Sequence, residues 1–145
     1  MTERRHRRLL QAVYLIEKVE SVQRFFTKRL SGLRGLFHCE RLNILGSQTL
    51  ECRRLINDLT LCYKILYGLC DTSLSINLSN SVTRGCCLKL VKPSCSSDIR
   101  KYFFTSRVID VWNCLNNDIV KSRSISVSKK RLSRVKFDRF LTVSD

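Results

Sequence analysis

No two of the twelve acidic residues in this 145-residue sequence are adjacent, and it contains no Asp-Asp pair. A polymerase or nuclease that works through two metal ions holds them on clustered carboxylates, so that chemistry has no acidic cluster to stand on. C-x-x-C pairs are also missing: Cys39, Cys52, Cys62, Cys70, Cys86, Cys87, Cys95 and Cys114 are scattered, several at apolar positions of predicted helices. They read as reduced thiols rather than a disulfide framework or a zinc site. His38 beside Cys39 is the one His-Cys pair. It has no second pair at metal-ligand spacing, and sequence adjacency does not place a base on the thiol. No metal, cofactor or cysteine nucleophile is therefore expected. Glycine-rich phosphate loops followed by Lys-Ser/Thr, internal repeats and apolar runs of membrane-spanning length are absent too. The basic start MTERRHRR precedes an apolar stretch too short for a secretory leader, and Glu3, Glu17 and Glu20 argue against a mitochondrial one. The expected setting is a reducing compartment, nucleus or cytoplasm, with no membrane partner.

What the chain has in excess is positive charge. Lys and Arg number 27 against 12 acids, a net charge of +15, which points to a polyanion. Nucleic acid ranks ahead of an acidic membrane because no long face is both strongly apolar and basic. The competing reading is a basic surface that serves only solubility. With 43% hydrophobic residues the chain should fold, as a single helical domain over 1–145.

The pattern predicts a mainly α fold, a small helical bundle with a short extended or hairpin segment near 82–92. The most organised stretch is 98–115, where Phe104, Val108, Val111, Trp112 and Leu115 fall at helical spacing behind Asp98 as a cap, with Asp110 placed to pair with Arg107. A long first helix is expected over 4–28. Ala12, Ile16, Val19, Val22, Phe26 and Leu30 would pack, and Glu17, Glu20, Arg24 and Lys28 would face water. Gly32 and Gly35 then make a basic turn whose amides and Arg34 could meet a phosphate. A short helix over 39–45 ends at Gly46, and a strongly apolar one runs from the cap Thr49 to Tyr67 before Gly68. Segments 71–81 and 116–124 read as loops. Ser124 caps a last helix over 125–140 that carries Lys129, Lys130, Arg131, Arg134, Lys136 and Arg139. The candidate nucleic-acid-binding residues are Arg24, Lys28, Arg29, Arg34, Arg100, Arg107, Lys129, Lys130 and Arg131. Arg24 with Lys28 and Arg100 with Arg107 form two basic edges, expected to line one groove if their helices pack side by side.

Four separated blocks carry a family resemblance: IEKVESVQRFFTKRLSGLRGL at 16–36, ERLNILGSQTLECRRLINDLTLCYKILYGL at 40–69, TRG and KLVKP at 83–93, and RKYFFTSRVIDVWN at 100–113. Over roughly 15–141 the chain resembles the C-terminal tail of reverse transcriptases from LINE-type, jockey-like non-LTR retrotransposons. The resemblance implies a thumb and post-palm fragment of an RNA-directed DNA polymerase, without the palm and its catalytic aspartates, and so no enzyme by itself. The implied partner is RNA or an RNA–DNA duplex, held electrostatically with weak sequence selectivity. The alternative is a non-enzymatic relic or interaction domain with no nucleic-acid role. Gln23, Arg24, Thr27, Lys28, Arg29, Arg84, Gly85, Lys92, Arg100, Phe104, Arg107, Trp112 and Asn113 match as shared framework. Departures include Phe25 for arginine, Ser31 and Asn116 for proline, Phe37 near the family's helix-capping serine, and Ser128 near its aromatic.

Overall fold

A computed structural model describes residues 2–74, 76–79, 88–92, 94 and 103–142, with side chains described from Leu10 onward except that of Ala12. Among these residues the fold is mainly α. Its helices are α1 (Thr2–Lys28), α2 (His38–Ile44), α3 (Leu50–Leu66), α4 (Phe104–Asn113), α5 (Asn117–Val120) and α6 (Ile125–Leu132), followed by a 3-10 turn at Asp138–Phe140. The chain divides into two compact units, Met1–Arg54 with Phe137–Asp145, and Leu55–Lys136.

Helix boundaries follow local chemistry. Thr49 Oγ1 accepts the Cys52 N–H at 3.3 Å and Ser124 Oγ accepts that of Val127 at 3.3 Å, the two predicted N-caps. Gly46 and Gly68 sit just past α2 and α3 with φ of 59° and 63°. Each closes a reversed turn in which the next N–H reaches back, Ser47 to Leu42 O at 2.9 Å and Leu69 to Lys64 O at 2.8 Å. Phe37 begins α2 with no cap acceptor of its own; Glu40 Oε2 accepts its N–H at 2.8 Å, so only the return half of a capping box is present.

In the first unit, α1 departs from the expected facing. Val19, Val22 and Phe26 are exposed, Val22 and Phe26 by 65%, while Glu20 is 1% exposed and Thr27 is buried. One residue further on is about 100° around a helix, and that neighbouring stripe of Glu20, Gln23 and Thr27 makes the contacts. Glu20 Oε1 accepts the Glu51 N–H at 2.7 Å, and Gln23 Nε2 donates to Gln48 O at 3.0 Å. One oxygen of the buried Glu20 carboxylate thus satisfies a free amide at the start of α3, a favourable place for negative charge, and Glu20 turns inward instead of pairing on the surface. Leu33, Leu42, Cys52 and Phe137 supply the apolar core, and both carboxylate oxygens of Glu51 accept the Thr142 N–H at 3.0 Å.

The second unit packs Leu55, Ile56, Leu59, Cys62 and Tyr63 of α3, Val108, Ile109, Val111 and Trp112 of α4, and Ile119, Val120 and Leu132 from α5 and α6. Tyr63 and Tyr67 stack with ring centroids 4.4 Å apart, their hydroxyls donating to Ser122 O at 2.6 Å and Val120 O at 2.9 Å. An extended strap crosses α4. Trp112 Nε1 donates to Leu88 O at 2.9 Å, and the Asn113 amide accepts the Leu90 N–H at 2.8 Å and donates to Leu90 O at 3.0 Å. The strap bridges Leu78 to Leu90 in antiparallel fashion, so part of the predicted 71–81 loop pairs with it. Residues 82–87 of the expected hairpin, and Asp98, lie outside the described residues; α4 starts at Phe104 behind an extended Phe103 as its N-cap, so Asp98 does not cap it as expected. One helical turn, α5, occupies the predicted 116–124 loop.

Two further expectations are corrected. Asp110 meets Lys92, and Arg107 meets Asp58 instead of the expected Asp110. The last helix stops at Leu132 rather than Phe140, because Arg134 and Val135 take i−3 bonds to Arg131 O and Leu132 O. With few apolar positions beyond Leu132 to hold a longer helix against the unit, it tightens and ends.

Candidate nucleic-acid interface

A basic hollow forms where the turn after α1 folds back on that helix, and Arg41 of α2 builds it from beneath. Its buried guanidinium donates from Nε to Thr27 Oγ1 at 3.1 Å, from Nη1 to Leu36 O and from Nη2 to Arg24 O at 3.4 Å. Thr27 can accept from Arg41 because its own hydroxyl proton is directed to Gln23 O at 2.9 Å. Arg41 thus ties 24–27 to 36–37. The cavity above it measures about 480 Å³, lined by Arg24, Phe25, Lys28, Arg34, Gly35, Leu36, Phe37, His38 and Arg41.

All the acceptors holding Arg41 are neutral, and among the described residues none of Arg24, Lys28, Arg34 and Arg41 pairs with a carboxylate. Four like charges around one hollow raise its affinity for an anion, and the low-dielectric wall behind Arg41 weakens screening there. At the rim, Arg29 lies over the Phe25 ring, 3.9 Å from its centroid, and Phe37 is 77% exposed. This arrangement can take a phosphate and offer aromatic faces beside it. Among the described residues no group of three His, Cys, Asp or Glu is placed to hold a metal ion.

The predicted site residues divide accordingly. Arg24, Lys28 and Arg34 are brought together in the hollow, with Arg29 at its edge. Arg107 lies in the second unit, where it holds Asp58 at 2.6 Å. Lys129 and Lys130 are exposed on α6, whereas Arg131 reaches back to Asp118 O and, at 3.5 Å, to Ser122 Oγ. Arg100 lies outside the described residues. Sequence reasoning missed Arg41, Phe25 and Phe37. Phe25 and Arg29 at i,i+4 were a legible aromatic-cation pair, but nothing in the sequence shows that Arg41 would be buried.

Comparison with protein-family models, curated proteins and solved structures finds no match. Among the described residues, no helix is long and apolar enough to cross a membrane.

Proposed function

We propose that this chain is a fragment of a retrotransposon RNA-directed DNA polymerase lacking the catalytic palm, and that its own activity is electrostatic binding of RNA or an RNA–DNA duplex. The family origin rests on the sequence resemblance. The binding rests on one observation, the gathering of Arg24, Lys28 and Arg34 around a hollow floored by Arg41, with no carboxylate partner among the described residues. Phosphate contacts position a nucleic acid without reading its bases, so selectivity for sequence should be weak.

Salt titration tests it. Each phosphate contact contributes roughly 0.9 to the slope of log affinity against log salt on duplex DNA. Replacing Arg24, Lys28 and Arg34 together by Gln should lower the slope by about two to three units. The same change at the exposed Lys129, Lys130 and Arg134 should lower it by less. Equal reductions would leave only diffuse charge.

One observation favours a second reading, an interaction domain with no nucleic-acid role: the exposed apolar stripe Leu15, Val19, Val22 and Phe26 along α1. On that reading the wild-type chain shows only feeble, salt-insensitive association with any nucleic acid.

A further inference from the structure

The hollow contains more than a phosphate site needs. Its aromatic members, Phe25 and Phe37, are both exposed and both border the cavity that the cations line. Leaving phenylalanine rings in water is unfavourable, and phosphate contacts do nothing to cover them. A duplex would not cover them either, since its bases are stacked on each other and present only edges and backbone.

Size points the same way. About 480 Å³ falls within the range of small-molecule pockets. It suits a single nucleotide unit. The Arg29 guanidinium lies over the Phe25 ring and adds positive charge beside it, and Phe25 is 58% exposed. Arg24, Lys28 and Arg34 stand where the phosphate of the same nucleotide would follow. The three acceptors around Arg41 tie the turn at 36 to α1, so the ring of Phe37 and the cations of α1 belong to one pre-formed surface.

We infer that the hollow takes an unpaired nucleotide of the bound nucleic acid, its base stacked on Phe25 or Phe37 and its phosphate among Arg24, Lys28 and Arg34. This rests on the nucleic-acid reading above and narrows it: the chain should prefer a duplex that carries a single-stranded overhang to the same duplex with blunt ends.

The test is equilibrium binding of the full chain to an RNA–DNA duplex, blunt or with a short unpaired overhang, at several salt concentrations. Base–aromatic stacking is worth about 1–3 kcal/mol per base, so the overhang should tighten binding by roughly fivefold or more. The double variant Phe25→Leu, Phe37→Leu keeps apolar bulk and all charge. It should lose that gain, so that overhang and blunt duplex bind the variant alike. Because both rings are exposed, the variant should keep the wild-type circular dichroism and melting temperature. If overhang and blunt duplex bind alike with steep salt dependence, or if the gain survives the leucines, the nucleotide pocket is wrong and electrostatic binding stands. If no nucleic acid binds with steep salt dependence, both fall together.

Discussion

Arg107 of α4 holds a single oxygen of Asp58 on α3 with two donors, Nη2 at 2.6 Å and Nε at 3.1 Å. The pair is part-buried, the Arg107 side chain 33% and the Asp58 side chain 17% exposed. Asparagine at 58 keeps a carbonyl oxygen but removes the negative charge facing the guanidinium, and in a part-buried pair that loss is more costly than in an exposed one. Asp58→Asn should therefore lower unfolding free energy by roughly 1–3 kcal/mol. Asp110→Asn, whose partner Lys92 is as exposed as it is, should cost at most about 1 kcal/mol. Urea denaturation of the two variants checks the order. Equal losses would show that Arg107 is held by its packing and not by the ion pair.

Ser128 lies in the middle of α6, 1% exposed, and its hydroxyl has no hydrogen-bond partner among the described residues. A buried hydroxyl without a partner forfeits its hydration for nothing in return, and serine is also a poorer helix former than alanine. Ser128→Ala should raise unfolding free energy by about 1 kcal/mol, visible as a higher urea midpoint at unchanged slope. A fall in the midpoint would mean that the hydroxyl is satisfied in solution.

The cysteines should separate by reactivity. Cys39 and Cys114 are exposed, and Cys52 and Cys62 are buried. Burial, reinforced by the negative charges of Asp138, Glu51 and Glu20, raises the Cys52 thiol above its ordinary value, and burial alone raises Cys62. Thiolate is the nucleophile, so both are protected twice, by access and by protonation. Timed maleimide labelling with peptide mapping should modify Cys39 and Cys114 in the native chain and Cys52 and Cys62 only after unfolding. Early labelling of Cys62 would show that α3 opens locally.

Element type and boundaries were legible wherever a single residue type decides them. Thr49 and Ser124 start helices because a side-chain oxygen can reach a free amide, and Gly46 and Gly68 end them because the backbone there turns left-handed. Facing was less legible. Periodicity finds stripes on α1 but does not say which one is covered, and a polar stripe prevailed because Glu20, Gln23 and Thr27 each find a partner from another element. The site was half legible for the same reason. Arg24, Lys28 and Arg34 are ordinary surface cations in the sequence; what makes them converge is Arg41, whose neutral acceptors are mostly backbone carbonyls of 24–36 that no residue pattern announces. Trp112 and Asn113 were recognisable as important, yet their role as the clasp for Leu88 and Leu90 depends on a strap 23 or 24 residues away.

Cys62 gives α3 a dependence on alkaline pH. It is fully buried at the centre of the second unit, and burial pushes its thiol from 9.0 up to about 12. The sign follows from proton counts. Below the ordinary thiol value both folded and unfolded chains keep the proton, so pH has no effect through this group. Above it the unfolded chain gives up a proton that the folded chain retains, and stability falls by about 1.4 kcal/mol per pH unit until the folded thiol itself ionises. Cys62→Ala removes this loss while leaving the other titrating groups in place. At about pH 8 the variant should be less stable than the wild type, because a buried sulfur is missing from the core. By about pH 10.5 the wild type should have lost about 2 kcal/mol more than the variant, so the gap narrows or reverses. Urea denaturation of both proteins at the two pH values measures the change, and a gap that stays constant would mean that the folded thiol ionises as readily as an unfolded one.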